Sequence, residues 1–280
     1  MAQPLTTLSD DAPPVLYKYS PVRDWLPALL KGESLHFSGR TSFNDPFDCR
    51  PAFRVAKTKH ARDVMHQGLK NRGLSPAKRL MAVNRAFNMG EDALNMLDTS
   101  KYLDKVGILC LTPKWDNALM WSHYASNHSG ICIGFKTTEG VFRTAMPVVY
   151  AKKLPVIEAP GTLGRDLYDQ VFMTKFEHWS YEEEWRIIKS ESTEEARDKQ
   201  FRDFCCITSV DEARAIADQR GATNYEFKNS SIESLILGMK ISASDERFVK
   251  DSILAAGLNI PIYRISDPGR TYDLTRVKIS

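Results

Sequence analysis

Val106–Leu111 reads VGILCL and, after a polar and aromatic interval, Gly130–Phe135 reads GICIGF. Short apolar runs of this kind read as strands buried on both faces. Between them Asn117–Ser126 has the pattern of a short helix or turn. Towards the N-terminus, Val15–Tyr19 is an aromatic strand. It is followed by a helix that Asp24 can cap, with Pro27 in its first turn, Leu26, Leu29 and Leu30 inward, and Gly32 as its stop. Leu35–Phe37 reads as a further strand, and GRTSFNDPFDCR, interrupted by Pro46, as a loop. From Lys57 to Asp104 the pattern is helical. Ser75-Pro76 forms a start signal, and Leu80, Met81, Phe87, Leu94 and Leu97 recur near helical spacing.

Towards the C-terminus the readings alternate without a fixed period. Met146–Tyr150 is strand-like, Leu163–Phe176 helical and Glu184–Lys189 strand-like. A helix over Asp211–Gln219, a strand at Leu235–Leu237 and a helix over Asp245–Ala256 follow, then strands at Ile260–Ile265 and Leu274–Ile279. Strands mixed irregularly with helices predict an α+β fold rather than a doubly wound sheet. No repeat and no Gly-, Ser- or Pro-rich linker divides the chain, so residues 15–280 read as a single domain behind a disordered lead-in over residues 1–14.

Composition narrows the function classes. The 280 residues are 42% hydrophobic and 26% charged, as a chain with a sizeable core requires. A formal charge of +3 is small for this length and does not suit a protein that coats duplex nucleic acid. No run approaches the roughly 18 apolar residues of a spanning helix, and the N-terminus MAQPLTTLSDDAPP lacks the basic and apolar regions of a secretory signal. Cys49, Cys110, Cys132, Cys205 and Cys206 form an odd set without a CxxC pair. They are expected to be free thiols in a reduced, cytoplasmic protein with no membrane partner.

Three constellations carry chemistry. In Phe43–Asp48, FNDPFD, two carboxylates and an amide sit between phenylalanines. Asn44 and Asp45 before Pro46 also make an ordinary turn. In Met120–Gly130, MWSHYASNHSG, His123 and His128 are five residues apart, which does not put a zinc pair on one helical face. Trp121, His123 and Tyr124 either line a pocket for a planar ligand or form a buried aromatic turn beneath the GICIGF strand. Trp179–Arg186, WSYEEEWR, is the sharpest of the three. Read as a strand, it puts Glu182, Glu184 and Arg186 on one face and Tyr181, Glu183 and Trp185 on the other. Carboxylates roughly 7 Å apart along a strand repel unless a cation or substrate lies between them. Arg186 as an exposed partner and a carboxylate pair aimed into a cleft are the two readings.

The LYKY opening (Leu16–Tyr19), FNDPFD, LCLT with MWSHYA, WSYEEEWR and a late LILG strand (Leu235–Gly238) together resemble a bacterial family known as domain of unknown function 2971. More distantly, Glu182-x-Glu184 resembles the Glu-x-Glu of ADP-ribosyltransferases, with Leu16–Gly32 similar to their opening strand and helix. The departures are Lys18 where those enzymes carry Arg or His, and only Thr41-Ser42 in place of a Ser-Thr-Ser strand.

That resemblance implies a mixed, split sheet gripping NAD as a substrate, with no metal required, in a bacterial toxin or defence effector. It implies that Glu184 stabilises the ribosyl cation and Glu182 orients or deprotonates an unknown acceptor, protein or nucleic acid, with His123 at the reacting centre. Tyr17, Trp121 and Tyr124 would stack on nicotinamide. Lys18, Arg40 and His123 would meet ribose or diphosphate, and Asn44, Asp45 and Arg186 complete the NAD contacts. Two other classes compete. One is a nuclease with magnesium on Asp45, Asp48, Glu182 and Glu184. The other is a non-catalytic nucleotide sensor reporting to a partner encoded nearby.

Overall fold

The computed structural model describes residues 12–89, 103–159, 165–267 and 269–280. The fold is α+β, with mixed sheets and flanking helices. Contacts gather it into two compact units. One holds Phe43–Asp104 and Val149–Glu177, the other Thr6–Ser42, Lys105–Val148 and His178–Ser280.

The second unit contains both apolar runs that open the sequence reading. Ile131–Lys136 is the second strand of a five-stranded sheet, between Val15–Ser20 and Ile232–Leu237 and antiparallel to both. Ile262–Ser266 then runs parallel to Ile232–Leu237, and Thr275–Lys278 closes the far edge antiparallel to it. The parallel step needs a crossover, and the helix Ala243–Ala255 supplies it, capped by the Ser242 hydroxyl. Leu16, Ile133, Phe135 and Leu235 belong to one core with Leu26, Leu30, Val249 and Ile253. Tyr17, Tyr19, Cys132 and Ile236 belong to another with Trp121. Successive strand residues point to opposite faces, so a strand covered on both sides reads as an unbroken apolar run.

The other run, Gly107–Leu111, lies in a four-stranded antiparallel sheet between Ser38–Gly39 and Trp185–Lys189, with Met146–Pro147 at its edge. A single antiparallel bridge, Tyr17 with Thr112, joins the two sheets. The mixed, split β-sheet is therefore present. Two glycines allow the close approach of the turn ending at Gly130 to its neighbours. A Cβ at Gly130 would lie 2.3 Å from the Ser20 carbonyl, and one at Gly238 2.2 Å from that of His128.

In the first unit Val149–Ala151 pairs in parallel with Thr174–Phe176, and Ala52–Val55 in parallel with Val156–Ala159. The helices Lys59–Asn71 and Pro76–Met89 belong here, as does Arg165–Phe172.

Several sequence readings need correction. Asp24 caps nothing: the helix Leu26–Leu30 starts from Trp25 without a side-chain cap. The region Leu163–Phe176 is helical only over Arg165–Phe172 and ends in a strand. Leu80 and Met81 are exposed, whereas Val83 of the same helix is buried. The polar helix Glu194–Phe204 was not expected at all. Leu94, Leu97, Leu163 and most of the lead-in lie outside the described residues.

Candidate functional site

The WSYEEEWR segment is not one strand. Glu177–Glu182 forms a 3₁₀ helix, the strand runs Trp185–Lys189, and Glu183 between them has φ 45°. This left-handed residue lies where the 3₁₀ helix gives way to the strand. Glu183 itself turns outward to an exposed ion pair with Lys114 at 3.3 Å. The face-by-face alternation expected of a strand is nevertheless reproduced in burial. Glu182 and Glu184 are each 3% exposed and Arg186 is fully buried.

Each buried charge is held. Arg186 donates from Nε to Glu184 Oε1 at 2.8 Å and from Nη2 to Glu184 Oε2 at 3.0 Å, a two-point fork. The Glu184 carbonyl accepts from the Val148 amide at 2.9 Å, which fixes the backbone below the fork. The Tyr124 hydroxyl donates to Glu182 Oε1 at 2.7 Å. The Thr112 hydroxyl donates to the Glu182 carbonyl at 2.6 Å and ties the 3₁₀ helix to the bridge between the sheets. Asn117 does the same from the other side. Its Oδ1 caps the helix Ala118–Tyr124 and its Nδ2 donates to the Tyr181 carbonyl at 2.9 Å. The sequence therefore spends one asparagine on locking Tyr124's helix to Glu182's turn.

Lys18 and Cys110 complete the cluster. Cys110 pairs with Arg186 across the four-stranded sheet. Lys18, half-buried on the first strand, has its pKa pulled below the ordinary lysine value by burial, while Cys110 and Glu184 act to raise it. Beside Tyr124 lies a run of rings. Exposed His123 stands edge-on to Tyr124 at 6.1 Å and to Trp179 at 6.2 Å, and Trp179 is 6.0 Å from Tyr181.

The structure thus gathers Lys18, His123, Tyr124, Glu182, Glu184 and Arg186 in one unit. Trp121 and Tyr17 are on the same elements but face elsewhere. Trp121 is fully buried, edge-on to Tyr19, with Nε1 donating to the Trp115 carbonyl at 2.8 Å. Tyr17 lies in the same aromatic core, where burial raises its pKa and Arg276 opposes the shift. Arg40 is half-buried in a short 3₁₀ turn of this unit. Asn44 and Asp45 belong to the other unit, where Asp45 accepts from the Phe47 amide at 2.9 Å, closing a turn around Pro46. Sequence reading missed Cys110, Thr112 and Asn117. The available signal was a polar residue at each end of an apolar stretch, in LCLT and at the start of NALMW.

A family model described as a protein of unknown function, DUF2971, matches residues 120–187. The DUF2971 stretch runs from Met120, in the helix that carries Tyr124, to Ile187 beyond the arginine fork. It therefore includes both carboxylates, Arg186 and the ring cluster. No curated protein and no solved structure matches the chain. Among the described residues, no group of three or more His, Cys, Asp or Glu side chains is placed to hold a metal ion. No helix among them is long and apolar enough to cross a membrane.

Proposed function

We propose that this chain is a cytoplasmic enzyme that cleaves the nicotinamide–ribose bond of NAD and transfers ADP-ribose to an acceptor. The observation behind this reading is the burial of Glu182 and Glu184 on either side of the left-handed Glu183, the first held by a tyrosine hydroxyl and the second by an arginine fork. Buried carboxylates cost several kcal/mol to desolvate, and their presence near a buried amine is an arrangement found at working sites.

The chemistry fits such a group. The C1′–N bond breaks with its electron pair going to nicotinamide, which leaves neutral, so no strong acid is needed. Positive charge remains on C1′ and the ring oxygen. A carboxylate already oriented before the bond breaks stabilises that charge. Glu184, its plane fixed by Arg186, holds a ribose hydroxyl and faces the cation. The acceptor's lone pair then bonds to C1′ and its proton passes to Glu182. Lys18 meets the diphosphate, and the rings of His123, Tyr124 and Trp179 offer the stacking surface.

The test is incubation of wild type, Glu182→Gln and Glu184→Gln with labelled NAD and fractionated lysate, with and without a chelator. Nicotinamide release and label transfer are scored separately. Glu184→Gln should lower both by about 100-fold or more, and Glu182→Gln should lower transfer more than hydrolysis. Breaking a buried pair costs about 3–5 kcal/mol, so the folded fraction of Glu184→Gln is measured alongside. No nicotinamide release by wild type with any fraction overturns the reading. Chelator-sensitive cutting of nucleic acid would establish the nuclease, and NAD binding without turnover the sensor.

A further inference from the structure

The unit formed by Phe43–Asp104 and Val149–Glu177 contains a cavity of about 270 Å³. Phe47, Leu154, Pro155, Val171 and Phe176 form its apolar lining. Three of these are unusual for a surface: Phe47 is 57% exposed, Leu154 45% and Phe176 39%. Large apolar side chains gathered round one opening mark a place where apolar matter is received. Arg50 and Lys153 line the same cavity, as do Lys152 and Lys175. Lys175 is met by Asp48 at 3.8 Å and Lys152 by Glu177 at 4.0 Å. Arg50 and Lys153 have no carboxylate partner among the described residues.

We infer that this cavity is a binding site for a small amphipathic carboxylate, an acyl or aryl body inserted among Phe47, Leu154, Val171 and Phe176 with its anionic end at Arg50 and Lys153. The volume decides the size class. At about 270 Å³ it lies just below the usual range of drug-sized sites, roughly 300–1,000 Å³, so a medium-chain acid fits and a dinucleotide does not. The two unmatched cations select for the charged head, because an alcohol of the same chain would leave them as they are. The cavity shares no lining residue with the carboxylate cluster, and the proposal does not depend on NAD chemistry.

Octanoate serves as the probe, titrated calorimetrically into the full-length protein, with octanol and inorganic phosphate as controls. The expected result is saturable binding of one octanoate per chain, weaker binding of octanol and none of phosphate. Arg50→Gln combined with Lys153→Gln should weaken octanoate at least tenfold and leave octanol unchanged. Val171→Trp, which fills the cavity from inside, should abolish both, and a thermal unfolding curve verifies that this variant folds. Absence of saturable octanoate binding to wild type overturns the proposal. Equal octanoate affinity in wild type and the Arg50/Lys153 double variant does so too.

Discussion

Glu183 shows how one backbone angle makes a site. With φ 45° it stands in a region that costs an L-residue about 1–2 kcal/mol, and it is there that the chain turns from 3₁₀ helix to strand. Glu183→Gly should therefore raise the unfolding free energy by up to about 1 kcal/mol, part of the gain being offset by loss of the exposed Lys114 pair. Glu183→Ile should lower it, since a β-branched residue tolerates positive φ poorly. Denaturant titration of the two variants checks the contrast, and a Gly variant no more stable than the Ile variant would show that φ at this position is not the cause. A second prediction concerns His128, which follows Ser126 and Asn127 in a run of positive φ and sits 3.0 Å from the Ser122 hydroxyl. Burial, with Lys240 nearby, lowers its pKa below the ordinary 6.5. The unfolded chain then takes up a proton that the native chain resists. Stability from this residue is complete above about pH 6.5 and is lost as pH falls through that value towards the lower folded one. His128→Asn, which keeps a side chain tolerant of positive φ, should flatten this limb in a pH series of thermal unfolding. Glu212 and Glu246, held down by Thr208 and Arg264, act only in the more acidic range below the usual carboxylate value.

Lys189 shows the same economy in an element. The strand Trp185–Lys189 ends by placing this lysine's amine against the last turn of the helix Val210–Ala217. It donates to the carbonyls of Ala215 at 2.9 Å, Ile216 at 3.0 Å and Asp218 at 2.7 Å. Burial pushes its pKa down to about 7, while three carbonyl acceptors at a helix C-terminus favour the ammonium. Lys189→Met fills similar volume but leaves those carbonyls unpaired, and should cost about 2–4 kcal/mol. A change below about 0.5 kcal/mol in chemical unfolding would show that water replaces the amine at no loss. None of this was legible beforehand, because a lysine at the end of an apolar strand looks like a solvated terminus. What was legible shared one property, an apolar pattern imposed by burial, as in VGILCL, GICIGF and the Leu26, Leu29, Leu30 stripe. The helix Glu194–Phe204 was not, since among its residues only Phe204 is buried and no stripe marks it. The carboxylate site was half legible. The burial of Glu182, Glu184 and Arg186 followed their spacing of two, but the break in the strand at Glu183 was not legible, and the groups that hold the preceding turn, Thr112 and Asn117, are distant in sequence.

On the scale of the whole molecule, protection should follow the sheet order. Ile131–Lys136 and Ile232–Leu237 are flanked by strands on both sides and covered on both faces. Native-state hydrogen exchange should therefore find the slowest amides there, with the half-exposed pairs Ala52–Val55 and Val156–Ala159 exchanging earlier. Slower exchange in those two strands than in Ile131–Lys136 would reverse the assigned order of stability. The same sheet order also sets a timetable for synthesis. Val15–Ser20 leaves the ribosome first, yet its partner strand lies more than a hundred residues further on, and that strand's other neighbour about a hundred beyond it. Until Ile232–Leu237 emerges, Ile131–Lys136 has one unpaired edge on a nascent chain, an apolar strand of the kind that recruits neighbours. Newly made chains thus pass through an interval of adhesiveness that the finished protein does not show, and slower, cooler expression should shift the yield from aggregate to folded product.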